Sequence, residues 1–167
     1  GVGTKALEAN TSGINVGVGY RALDANTSGT SNVAVGVDAL GGNVDGDQSV
    51  AVGHEALLVQ DPTSNVDMNN VAVGYRAGYA VSTGTNNILL GAGAGDAVDS
   101  GGYNIAIGSN ALGANTTRTG NISIGYNSLD ASATGTQNCI AIGSQALSAL
   151  TASGGTVGTA PSIAIGY

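Results

Sequence analysis

The chain has 167 residues, 29 of them glycine, with two prolines, no Trp, no Phe and only 9% charged side chains. So few large apolar groups do not fill a broad globular core, yet 42% hydrophobic content is too high for a disordered chain. The net charge of −7 leaves four basic residues, Lys5, Arg21, Arg76 and Arg118, too few to neutralise nucleic acid or to hold an anionic bilayer. No apolar run approaches the roughly 20 residues of a membrane-spanning helix, so neither nucleic acid nor direct membrane insertion is expected.

One nine-residue unit organises everything else. It opens as a partial copy at Val2–Leu7 and recurs at Asn15–Leu23, Asn32–Leu40, Ser49–Leu57, Asn70–Gly78, Asn87–Gly95, Asn104–Leu112, Asn121–Leu129 and Cys139–Leu147, with a truncated copy at Ser162–Tyr167. Taking the central glycine of each unit as position zero gives Gly3, Gly19, Gly36, Gly53, Gly74, Gly91, Gly108, Gly125, Gly143 and Gly166. The steps between them are 16, 17, 17, 21, 17, 17, 17, 18 and 23 residues. A fixed period near 17 is the signature of a solenoid in which each coil covers only its neighbours. Residues 1–167 are therefore expected to form a single repeat domain of about nine coils, a piece of a longer fibre. At strand spacing it would be a rod of roughly 45 Å.

Within each unit, Asn-Val-Ala-Val-Gly reads as a strand. The branched residues at −3 and −1 (Val33 and Val35, Ile105 and Ile107) share one face, because strand side chains alternate. Position −2 points the other way and is small and mostly apolar: Gly17, Ala34, Ala51, Ala72, Leu89, Ala106, Ser123, Ala141 and Ala164. A strand with two apolar faces is buried on both. One face can line the coil; the other needs a second surface, so the Ala-lined face is expected at the seam of a homo-oligomer. Glycine at zero marks a bend or a close backbone approach. The Ala-Leu pairs at +3 and +4 are expected to form a shorter second strand, followed by polar turns such as Asn26-Thr27-Ser28-Gly29. Asn32, Asn70, Asn87, Asn104 and Asn121, with Asn15, recur at −4 and are expected to stack as an amide ladder, interrupted by Ser49, Cys139 and Ser162.

Candidate contact residues lie where the repeat is irregular. The 21-residue step holds an insertion that includes Gln60, Asp61, Pro62, Thr63, Ser64 and Asn65, and the 23-residue step holds Ser148–Pro161. Insertions in solenoids map to loops on one face, which often binds. Tyr20, Tyr75, Tyr126 and Tyr167 each follow the central glycine. An exposed stripe of them would hold glycan or protein by stacking; alternatively the rings cover a coil edge or a seam between subunits.

Catalytic and metal signatures are weak. His54 and Cys139 lie about five repeats apart, roughly 24 Å at strand spacing. The carboxylates Asp45 with Asp47, and Asp96 with Asp99, sit in glycine-containing turns where acidic residues occur for local reasons. The calcium nonapeptide and the zinc spacings are missing. Gly91-Ala92-Gly93-Ala94-Gly95 lacks a phosphate-loop pattern and reads as a repeat in which Leu became Gly. Sequons at Asn10, Asn26 and Asn115 come from the repeated turn. No enzyme, cofactor or metal is expected.

The unit Asn-x-Ala-Ile-Gly followed by Ala-Leu, as in Asn104–Leu112, Asn121–Leu129 and Asn32–Leu40, resembles the head repeats of trimeric autotransporter adhesins. With turns such as Asn115-Thr116-Thr117 it is even more similar to repeats of phage tail-fibre proteins. The resemblance implies an all-β fold, a left-handed parallel β-roll packed side by side as a homotrimer. It also implies an extracellular place, in a virion tail fibre or on a bacterial cell surface, and a cell-surface glycan or protein receptor. Two features depart from the adhesin pattern: the period exceeds that of adhesin heads, and no neck, coiled-coil stalk or anchor is readable. Two alternatives come from other classes. Thr83-Gly84-Thr85, Thr117-Arg118-Thr119 and Thr134-Gly135-Thr136 raise an ice-binding solenoid, and the carboxylate pairs raise a glycan-degrading fibre enzyme.

Overall fold

A computed structural model describes residues 1–11, 13–114, 117–130, 137–148 and 162–166. The strands are β1 (Val16–Val18), β2 (Val33–Val35), β3 (Gly46–Asp47), β4 (Val50–Val52), β5 (Val66–Asp67), β6 (Val71–Val73), β7 (Ile88–Leu90), β8 (Ile105–Ile107), β9 (Ile122–Ile124), β10 (Ile140–Ile142) and β11 (Ile163–Ile165). No helix occurs among the described residues. Nine strands form one parallel sheet in the order β1-β2-β4-β6-β7-β8-β9-β10-β11, and β3 pairs with β5 in a small second sheet. Equivalent repeat positions face each other, Val33 with Val50 and Ala34 with Ala51. The fold is a parallel β-solenoid of about 7 turns with ~17-residue coils.

The strands are only three residues long because left-handed residues and the central glycine turn the backbone repeatedly in each coil. Three residues per coil take left-handed backbone. These are the −5 position (Ser31, Asn86), the +2 position (Asp38, Glu55, Arg76) and the +4 Leu (Leu40, Leu57, Leu112), all with φ between 49° and 61°. The expected second strand is therefore not formed. The Ala-Leu limb is a turn whose N–H groups pair with the next coil, for example Leu40 N–H to Ala56 O at 3.0 Å. Alternating left-handed residues cannot lie in a pleated strand, but they fold the limb back across a narrow interior.

That interior reverses the expected facing of the main sheet. Ala34, Ala51, Ala72, Leu89, Ala106 and Ala141 are fully buried against the Ala and Leu of the opposite limb (Ala39, Leu40, Ala56, Leu57, Ala111, Leu112). The Ala-lined face is thus the core of the coil, and the Val and Ile stripe faces outward. The reason is volume: the +4 Leu already spans the coil, and a second branched residue facing it would overfill a tightly packed space. Substitutions in the interior come in matched sets. Where the +4 Leu becomes Gly78 and Gly95, Leu89 stands in place of Ala, its Cδ atoms filling the space beside both glycines. Where Ala becomes Ser123, the facing Ala becomes Ser128, and their hydroxyls meet at 2.6 Å.

The central glycines form a column. Gly91 has φ +136°, and a Cβ there would stand 2.5 Å from the carbonyl oxygen of Gly108 in the next coil. Gly91→Ala is expected to destabilise the fold by at least about 2 kcal/mol in urea titration, since it combines a strained φ with a backbone clash. An unchanged unfolding midpoint would contradict the column.

Candidate functional site

The amide ladder is built from the −4 asparagines, of which Asn32, Asn70, Asn87, Asn104 and Asn121 are buried and Asn15, in the first of these coils, is half-buried. Each side chain does two jobs. From Asn15 to Asn104, its NH2 closes its own coil by donating to the turn carbonyl 14 residues ahead, as from Asn70 to Gly84 O (2.7 Å) and from Asn87 to Gly101 O (2.9 Å). Its Oδ1 accepts from the following coil: Asn70 Oδ1 takes both the backbone N–H (2.9 Å) and the side-chain amide (3.2 Å) of Asn87. Asn104 repeats this on Asn87, and Asn121 on Asn104. Cys139 is buried and its N–H still donates to Asn121 Oδ1 at 3.0 Å.

At Ser49, where the ladder lacks its amide, Gln60 supplies one. Gln60 Oε1 accepts from Ser49 Oγ (3.2 Å) and Asn70 Nδ2 (3.0 Å), and its Nε2 donates to Asn43 Oδ1 (3.2 Å). Two of the expected contact residues are therefore corrected: Gln60 and Pro62 are buried. Gln60 lies seven residues after Gly53, the offset of the buried Asn26 and Asn43 from their own glycines, so it belongs to the coil and not to the insertion. Asp61, Thr63, Ser64 and Asn65 are exposed. The insertion does not project. Val66–Asp67 pairs with Gly46–Asp47, and Asn65 reaches back two coils, its Nδ2 donating to Ser28 O (3.2 Å). The second insertion, apart from Ser148, lies outside the described residues, as do Asn115, Thr116, Thr134, Gly135, Thr136 and Tyr167.

Tyr20, Tyr75 and Tyr126 are 48%, 55% and 54% exposed and stand on one column, three coils apart. His54 joins that column and stacks on Tyr75, with ring centroids 5.5 Å apart and planes at 7°. Arg76 lies over Tyr79, 4.0 Å from the ring centroid. Tyr103, exposed on another column whose other members include Ser31, Asn69 and Asn86, was not singled out by the repeat pattern, although its departure from that polar position is visible in the sequence.

Three of the four basic residues are spent on neighbouring carboxylates. Arg21 Nε donates to Asp24 Oδ2 at 2.7 Å and Arg21 Nη1 lies 3.3 Å from Asp38 Oδ1, while Arg76 Nε lies 3.4 Å from Glu55 Oε2. Lys5 pairs with Glu8, and Arg118 is buried, which lowers its pKa. Of the paired turn carboxylates, Asp45 Oδ1 accepts from Ser28 Oγ and Asp47 Oδ1 from the Thr30 N–H, both at 2.5 Å, and Asp99 accepts from Ser82 Oγ. Among the described residues no three His, Cys, Asp or Glu side chains converge as a metal site. The described threonine pairs 83/85 and 117/119 are separated by a coil carrying Ser100-Gly101-Gly102, so they make no continuous array.

The chain matches no protein-family model, no curated protein and no solved structure.

Two outcomes follow from this geometry. Gln60→Ala is expected to cost about 2 kcal/mol in urea unfolding, because it strands buried ladder groups, whereas Thr63→Ala stays within about 0.5 kcal/mol; equal effects would remove Gln60 from the ladder. Burial holds the Asp96 carboxyl above its usual range, with Asp130 adding to the shift and Arg76 opposing it. The folded state therefore keeps the Asp96 proton to higher pH than the unfolded chain does. The stability it contributes is present below the ordinary carboxylate range and is lost as pH rises through the raised value. Asp96→Asn should accordingly raise the melting temperature at neutral pH and change it little under acid conditions, and the reverse order would contradict the assignment.

Proposed function

We propose that the chain is a structural and adhesive segment of an extracellular fibre, a left-handed β-roll assembled side by side as a homotrimer that carries receptor-contact loops or a tip, in a phage tail fibre or a bacterial surface adhesin. The observation that supports this reading is the outward face of the nine-stranded sheet. The −3 and −1 side chains of all nine strands, from Val16 and Val18 of β1 to Ile163 and Ile165 of β11, form an apolar stripe two side chains wide; Val73 is 40% exposed and Ile107 37%. At strand spacing the stripe is about 40 Å long, or roughly 400 Å² in projection, within the size range in which a continuous apolar patch is often functional.

A second copy suits this stripe better than an unrelated partner does. Every coil offers the same two branched side chains at the same height, so a translation-matched surface is needed, and another copy of the chain has one. Closed packing of identical patches around an axis satisfies all copies at once. The stripe changes from Val to Ile partway along, which favours chains aligned in the same direction with like layers meeting. The function is then mechanical: the coils supply a stiff rod, and the exposed Asp61, Thr63, Ser64 and Asn65 with the tyrosine column supply the contacts to a cell-surface glycan or protein. No helix among the described residues is long and apolar enough to cross a membrane.

Light scattering on the eluting protein tests the proposal. The expected mass is about three times 16.0 kDa, and Ile107→Asp, which places a carboxylate in every subunit at the seam, should give folded monomers. A parent chain that runs at 16.0 kDa at high concentration would contradict it.

A further inference from the structure

The tyrosine column contains a shallow trough between Tyr75 and Tyr126. The two coils between them carry Ala92 and Ser109 at the same position, both exposed and both small. At strand spacing the two rings are about 14 Å apart along the rod. His54, in the coil before, stacks on one face of Tyr75, so the other face of that ring is turned along the axis towards Ala92, and the residue is still 55% exposed. Beside the floor, Asn110 Nδ2 donates to Asn127 Oδ1 (3.3 Å), and Asn110 Oδ1 lies over Gly93, 2.6 Å from where a Cβ would stand. The trough therefore has an open aromatic face at one end, two small side chains along its base and the Asn110 amide beside it.

We propose that this trough binds a neutral pyranose, stacked on the free face of Tyr75 above Ala92 and Ser109, with its hydroxyls on Asn110. The inference rests on the adhesive reading and names the receptor chemistry for it. Three observations select the ligand class. The carbonyls of the column are already paired: Tyr75 O accepts from Gly93 N–H, Ala92 O from Asn110 N–H and Ser109 O from Asn127 N–H, so an extended peptide would find no carbonyl acceptors there and could not form a full strand ladder. The trough is too shallow and too polar for the apolar face of a helix. The net charge of −7, with Arg76 already paired with Glu55, disfavours an anionic sugar. What remains is a ligand with one apolar C–H face and a hydroxylated edge, which a neutral pyranose has.

Saturation-transfer NMR on the full chain tests this with methyl glucoside, methyl mannoside and methyl galactoside, their neutral oligosaccharides, and sialyllactose as the anionic probe. At least one neutral probe is expected to bind and sialyllactose to fail. Tyr75→Ala should weaken binding roughly tenfold or more, while Tyr75→Phe keeps it and Asn110→Ala reduces it. Tyr75 is exposed, so these variants fold. Absence of binding by every neutral probe at millimolar concentration, a preference for sialyllactose, or unchanged binding in Tyr75→Ala would overturn the inference. The solution mass of the same samples separates it from the fibre reading: a trimer that binds no neutral probe overturns the sugar site alone, and a monomer that binds one overturns the trimer alone.

Discussion

The close approach of consecutive coils at the glycine column is the constraint on which the rest of the structure depends. From Gly3 to Gly143, each central glycine sits with its α-carbon against the carbonyl group of the next, leaving no room for a side chain. That contact locks the coils in register, because a slip of one residue would bring a Cβ into a carbonyl oxygen. With register locked, every other repeat position becomes a column: the inner alanines, the leucines that face them, the clamping asparagines and the outer branched residues. Backbone hydrogen bonds from coil to coil then satisfy the chain without a broad core, which accounts for a protein with no Phe or Trp.

Much of this was legible in the sequence because columns are written as periods. The strand positions, the glycine bend and the amide ladder follow from recurrence near 17 residues and from the alternation of strand side chains. Which face of the strand points inward did not follow. Both faces are apolar, and β-branched residues are the usual occupants of a core, so the Val and Ile stripe looked like the inside. The deciding quantity is the width of the coil, set by left-handed residues such as Asp38 and Leu40 that propensity does not reveal. Once Leu40 crosses the interior, only a small side chain fits opposite it. The same limit hid the turn character of the Ala-Leu limb.

The exceptions to the repeat repay the same attention. Leu89 with Gly78 and Gly95, and Ser123 with Ser128, are exchanges between neighbours in space that keep the interior filled and its polar atoms paired. Gln60 is the instructive case for function. Its place beside an insertion suggested an exposed contact residue, but its offset from Gly53 equals that of the buried Asn26 and Asn43. The offset from the central glycine separates the buried Gln60 from Asp61, Thr63, Ser64 and Asn65, which face solvent even where Asn65 also bonds an earlier coil. The tyrosine column passes the same count and remains outside.

On the proposed reading the apolar outer stripe of the rod, not the alanine face that lines its core, meets another copy of the chain. Cross-linking with a short bis-maleimide tests that most directly, in a Cys139→Ser background carrying either Ile107→Cys or Ala106→Cys. The account predicts interchain cross-links from Ile107→Cys, and an unreactive thiol in Ala106→Cys until the protein is unfolded. Interchain cross-links from Ala106→Cys, with none from Ile107→Cys, would contradict it.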